Sequence, residues 1–252
     1  MIQTQNLTRY YGSLAAVQGL NLTIEPGELF GFLGPNGAGK TTTIRMIIGL
    51  LRPTAGTVRV TGHDVQQEPL IVKRAVGYLA QTPLLYEKLT GREFLRFLGG
   101  LYNLGDEKIA TRTEHLFSLM DLEDKADDLI ESYSGGMRHK IGLCGALLHE
   151  PPVLVLDEPL AGMDPHGARR IKDLLRDLCR RGNTVFLSTH ILEVAERVCD
   201  QVGILDHGRL IAVGTMETLR AQSQSTAEST LEDLFLKLTS GEAEARMVSM
   251  LE

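Results

Sequence analysis

At 252 residues, with 43% apolar and 23% charged positions, the chain has room for one large α/β domain with an insertion or for two small domains, and disordered and collagen-like classes are excluded. A formal net charge of −6 leaves no overall basic field to hold a phosphate backbone, so nucleic acid is not an expected partner. Cys144, Cys179 and Cys199 are widely spaced and form no Cys-x-x-Cys pair, so they read as free thiols of a reducing cytoplasm.

No basic-then-apolar segment follows Met1, so no secretory leader is expected. No window approaches the ~20 continuous apolar residues of a membrane span, so a role at a membrane needs another chain to cross the bilayer. Residues 2–33 alternate apolar and polar positions with turn signals at Gly12 and Pro26-Gly27, which predicts short, partly antiparallel strands. The apolar run Leu29 to Leu33 ends in glycine and gives way to a helical pattern from Thr42 to Ile48: a buried strand, a glycine loop and a helix. Strands are predicted at 57–61 and 76–80, and residues 92–149 turn largely helical, which marks an inserted helical subdomain over about 85–150. Beyond it, apolar runs at 153–156, 184–188 and 202–205 alternate with helix-like 167–181 and 191–198, implying a parallel sheet covered on both faces. Residues 221–226 are polar and unpatterned, a linker into a tail that carries a short amphipathic helix at 231–238.

Between the predicted strand and helix, Gly34-Pro35-Asn36-Gly37-Ala38-Gly39-Lys40-Thr41-Thr42 matches G-x-x-x-x-G-K-[ST]. Its glycines let successive backbone N–H groups converge, and together with the helix N-terminus they meet the charge of a triphosphate. Lys40 then contacts the β and γ phosphates and the Thr41 hydroxyl ligates Mg²⁺. The expected fold over 1–220 is therefore α/β: a P-loop NTPase core with a mostly parallel sheet, an N-terminal antiparallel β subdomain and the helical insertion. The motif alone does not separate ATPases from GTPases or small-molecule kinases.

The run Val153 to Leu156 leads into Asp157-Glu158-Pro159, and adjacent side chains at a strand end point apart. Asp157 can hold Mg²⁺ through water while Glu158 polarises the attacking water as general base; alone, such a triplet is more often an exposed acidic turn. Ser134-Gly135-Gly136 opens a helical pattern and is either a plain cap or a second anion site. One nucleotide has no use for two such clamps in one domain, but in a head-to-tail pair each closes on the nucleotide of its neighbour.

In this order the motifs resemble the nucleotide-binding domain of ABC transporters, through nearly the whole chain to about residue 220. The resemblance implies that Tyr11 stacks on adenine, with Tyr10 as the alternative, and that Gln81 reaches Mg²⁺ and the attacking water and reports to the membrane partner. Tyr133-Ser134-Gly135-Gly136-Met137 is similar to the family's LSGGQ signature, with Tyr for its Leu and Met for its Gln. Ala161 to Asp164 corresponds to the D-loop, and His190 to the switch histidine at the γ-phosphate. The wording is most like bacterial drug-export ATPases, which implies ATP and Mg²⁺ as ligands, a second ATPase subunit, an integral-membrane permease, and a cytoplasmic site on the inner face of the membrane. The apolar loop 81–86 either docks a permease helix or buries Leu84 and Leu85 in the helical block. Arg138-His139-Lys140 reads as a solvated basic face. A GTP-binding switch, through Asp164-Pro165-His166-Gly167 and Asp124-Lys125-Ala126-Asp127, and a non-transport ABC ATPase are the competing readings.

Overall fold

The computed structural model describes residues 1–223, 225–226 and 229–239; the tail expected beyond residue 239 lies outside them. Period-two burial makes β1 (Ile2–Tyr11) and β2 (Leu14–Ile24) an antiparallel pair, with Ile2, Leu7, Val17, Leu20 and Ile24 turned to the core. β3 (Leu29–Leu33) leaves this layer, whereas β4 (Ala55–Val60) and the short β5 (His63–Asp64) return to it and complete a sheet ordered β2-β1-β4-β5. A second sheet forms around β3 from β6 (Val76–Leu79), β7 (Val153–Asp157), β8 (Thr184–Thr189) and β9 (Gln201–Asp206), all parallel, and β10 (Arg209–Gly214), antiparallel at the edge. Its order is β10-β9-β3-β8-β7-β6, the mixed architecture expected, and β3, β7 and β8 are buried along their whole length. Phe186 lies between Phe30 and Phe32, with ring centroids 5.9 and 5.1 Å away, and burying each ring contributes about 2 to 3 kcal/mol.

Helix α1 (Lys40–Ile47) follows β3, and α2 (Pro69–Ala75) precedes β6. The insertion comprises α3 (Gly91–Leu101), α4 (Asp106–Met120), two single 3₁₀ turns and α5 (Gly135–Leu147), packed through Phe94, Leu95, Phe117 and Ile141. Thr90 and Glu93 form a reciprocal capping box that sets where α3 begins. α6 (Pro165–Arg180), α7 (Leu192–Val198) and α8 (Met216–Gln222) complete the β-α alternation, and a last helix, α9 at 231–239, buries Leu231 and Leu234 against Ala195, Val202 and Leu219.

Four elements were not expected from sequence: the short β5, α2, β10 and α8, whose last residues Ala221 and Gln222 fall in the stretch read as a linker. α2 buries only Val72 and leaves Leu70 and Ile71 exposed, so it carries no apolar stripe; its remaining signals are Pro69 in the first turn and Lys73 and Arg74 in the last. β10 depends on the two-residue turn His207-Gly208, whose φ values of 44° and 79° are those of a hairpin turn of the primed type.

Just after α5, the ring of His149 stacks on Tyr102 at 3.7 Å, and burial pushes its imidazole down to about 4 from 6.5. The folded state thus refuses a proton that the unfolded chain accepts. Its contribution to stability is whole above pH 6.5 and is lost as pH falls toward about 4. Urea midpoints measured across that window should fall less steeply for His149→Phe than for the parent; parallel curves would mean the imidazole is not the group responsible.

Candidate nucleotide site

The turn from β3 into α1 is shaped by close approach. A Cβ on Gly34 would lie 2.3 Å from the Leu205 carbonyl oxygen, and Gly39, at φ 108°, would bring one to 2.4 Å from that of Ala16. No side chain caps α1, so its first amides face the loop's concavity. Lys40 curls back into the loop, where Nζ donates to the carbonyls of Gly34 (2.7 Å) and Pro35 (3.2 Å). Burial pushes its ammonium below the usual value, and the Glu158 and Asp157 carboxylates push it back up.

β7 carries the two acids to the same end of the sheet. Thr41 Oγ1 donates to Asp157 Oδ2 at 3.0 Å and Ser188 Oγ donates to Asp157 Oδ1, so both oxygens of a buried carboxylate are held. Glu158 is 5% exposed and sits at φ 53°, a conformation that costs a non-glycine residue about 1 to 3 kcal/mol. Its backbone N–H donates to the Ser188 carbonyl, Thr189 Oγ1 donates to Oε2 at 3.1 Å, and His190 Nδ1 lies 2.7 Å from Oε1. The two carboxylates thus take different partners at the end of β8, Asp157 with Ser188 and Glu158 with Thr189 and His190.

The two acids open on a cavity of about 670 Å³ lined by Pro35, Asn36, Gly37, Gly39, Lys40, Thr41 and Thr42, by Asp157 and Glu158, and by Gln81 and Tyr11, whereas His190 reaches it only through its bond to Glu158. Gly34 and Ala38 lie buried beneath that lining. Of the two candidate tyrosines only Tyr11 lines the cavity, with the Arg9 guanidinium 4.8 Å from its ring centroid. Gln18 and His207 also line it and were not singled out from sequence, because only the pairing of β2 with the β9–β10 turn, through Gln18 N–H to the Gly208 carbonyl, brings them there. Ser188 and Thr189 were missed as well, although their place just before His190 was a signal. The hard oxygen donors Thr41 and Asp157 converge within hydrogen-bond distance, a donor set that fits Mg²⁺.

Ser134, Gly135 and Gly136 do not join this cavity. They line another, of about 640 Å³, with Ala161, Gly162, Met163 and Asp164, and no residue lines both. Ser134 caps α5 by accepting from the Met137 N–H at 3.3 Å. The Tyr133 hydroxyl, in place of the signature's leucine, donates to the Lys125 carbonyl at 2.5 Å. The stretches that suggested guanine chemistry are structural: Asp164 caps α6 through the N–H groups of His166 and Gly167, and Asp127 pairs with Arg92.

Residues 17–161 match the family described as ABC transporter. The daunorubicin resistance ATP-binding protein DrrA3 of Streptomyces coeruleorubidus is 41% identical over 222 residues, 88% of this chain and 70% of that protein. A solved ATP-binding subunit of an ABC transporter superimposes with a TM-score of 0.90 at 33% identity, covering 95% of this chain and 99% of its own. A dimeric ATP-binding cassette in a post-hydrolysis state, bound to ADP and Pi, aligns with a TM-score of 0.80 at 26% identity over 86% of this chain and 99% of its own. Likeness of this extent, in sequence and in fold, makes the chain a member of the ABC transporter family, an ATP-binding domain that hydrolyses ATP.

Proposed function

We propose that the chain is the ATP-hydrolysing subunit of an exporter whose bilayer-crossing part is a separate permease, and that it works as a head-to-tail pair at the cytoplasmic face of the membrane. The observation that carries this reading is the separation of the two anion-cradling surfaces: the phosphate-loop cavity and the Ser134–Gly136 pocket share no lining residue. Each is half of a clamp, and a second copy supplies the other half. The relative named for daunorubicin resistance supports export, and the dimeric neighbour supports pairing. Residues 1–220 make up the ATPase domain and 221–252 its linker and tail, with the helical subdomain at about 85–150.

In the closed pair, the α1 amides and Lys40 hold the triphosphate, Tyr11 stacks on adenine, and Ser134 to Gly136 of the second copy meet the γ-phosphate. Thr41, Asp157 and Gln81 would hold Mg²⁺, which would supply positive charge against the triphosphate. Glu158 takes the proton of the attacking water, and His190, already 2.7 Å from its carboxylate, keeps that carboxylate aligned. Loss of the γ-phosphate removes the charge that bridges the halves, and the pair opens.

The permease docks in an apolar groove of about 520 Å³ between α2 and α3, lined by Tyr78, Leu79, Leu85, Phe94 and Leu98. Leu85 packs into the helical core, but Leu84 is 94% exposed and Tyr86, edge-on to Phe97 at 5.1 Å, is 57% exposed. Of the two leucines, Leu85 takes the buried place considered for the loop, and Leu84 is left exposed for docking. Among the described residues no helix is long and apolar enough to cross a membrane. Co-expressed with its multi-span permease, the Tyr86→Glu variant should be recovered about tenfold less on membranes than the parent, because a carboxylate placed in the interface loses its water without gaining a partner. Equal recovery would place docking elsewhere.

A further inference from the structure

Arg138, which reads as part of a solvated basic face in sequence, is two-thirds covered, and its guanidinium folds back over the start of its own helix. Nε donates to the Tyr133 carbonyl at 3.2 Å, Nη2 to the Glu131 carbonyl at 3.3 Å and Nη1 to Glu87 Oε1 at 2.5 Å. The first two bonds hold the strand of chain that delivers Ser134, Gly135 and Gly136. The third reaches the residue that follows Tyr86 on the groove rim. Around it, the Glu131 N–H donates to the Glu87 carbonyl (3.1 Å), the Ile130 N–H to that of Leu89 (2.9 Å), and Lys88 pairs with Glu131 at 2.5 Å. Segments 87–90 and 129–131 are therefore laced together, and Arg138 is the side chain that joins both to the clamp. A lysine carries its three N–H donors on one nitrogen and could not make these three bonds, which leave three separate nitrogens of a planar fork.

The clamp needs this support. Its serine hydroxyl is oriented by the Met137 N–H that it accepts, and methionine in place of the family's glutamine adds no polar group of its own. The direction in which the Gly135 and Gly136 amides point is therefore decided by how the chain enters α5, and that is what Arg138 holds.

We propose that Arg138 is a positioning residue for closure on ATP: through Glu87 it locks the Ser134–Gly136 clamp to the groove rim, in the orientation that meets the nucleotide of the second copy. This rests on the pairing described above. A structural role alone would weaken the fold and ATP binding by the single chain together; the positioning role moves only pairing and turnover.

The test uses the full chain carrying Glu158→Gln, with ATP-driven pairing read by analytical ultracentrifugation and ATP affinity of the unpaired chain by fluorescent-nucleotide titration. Arg138→Ala should raise the ATP concentration for half-maximal pairing about tenfold, and the exposed Glu87→Gln, which keeps the fold by construction of its site on the surface, about threefold. ATP affinity of the unpaired chain should stay within about twofold of the parent in both, and the double variant should be no worse than Arg138→Ala, because both changes cut one link. A parent that stays single in ATP overturns the pairing and this role together. A parent that pairs, with Glu87→Gln pairing equally well or with additive losses in the double variant, overturns this role alone.

Discussion

Replacing Glu158 with glutamine should lower ATP turnover about a thousandfold while ATP stays bound. The amide has the shape of the carboxylate, so the turn at φ 53° and the bond from Thr189 Oγ1 survive, but it cannot take a proton from water. The pair would then close and stay closed, because the charge that bridges its halves is not removed. Steady-state phosphate release measures the first effect, and a stable ATP-bound dimer on size exclusion the second. Turnover at the level of the parent would remove Glu158 from the role of base and leave the strained turn without a chemical purpose.

Lys40→Met should weaken ATP binding about a hundredfold. In the structure the buried ammonium is bonded to the carbonyls of Gly34 and Pro35, in a cavity that Asp157 and Glu158 also line and whose carboxylates act on it. Without it, those carboxylates face the triphosphate with no side-chain cation of the loop between them, and repulsion replaces attraction. Methionine fills the same space, so the thermal transition without nucleotide should move little while the shift produced by ATP collapses. A variant that keeps the full ATP-induced shift would show that the phosphates lie elsewhere. The two substitutions separate cleanly: one binds and does not turn over, the other fails to bind.

Much of the molecule is legible because its signals are local. A buried β3 followed by a glycine loop and α1 can be read from Leu29 to Ile48 because the left-handed Gly39 and the near contact of Gly34 leave no room for another residue. The acid pair after β7 is equally plain, since an apolar strand has few reasons to end in two carboxylates. α2 escaped because its apolar residues face outward, and β10 because a two-residue turn gives little warning. Arg138 escaped for a different reason: its partners lie seven residues back and fifty-one residues away, and nothing in a run of three basic residues says which will fold inward.

The sequence by itself determined the chemistry available: a triphosphate cradle, a hydroxyl and a carboxylate suited to a hard cation, a base, and a second Ser-Gly-Gly clamp. Those follow from residue type and spacing along short segments, where backbone geometry leaves few choices. Only the tertiary structure decided which groups share a cavity. It joined Asp157 to Thr41 and Ser188, and Glu158 to Thr189 and His190, through the pairing of β7 with β8 and of β8 with β3, and it kept Ser134 to Gly136 in a pocket of their own. Strand order and helix packing set such distances through contacts between residues far apart in the chain, and no short stretch of sequence encodes them alone.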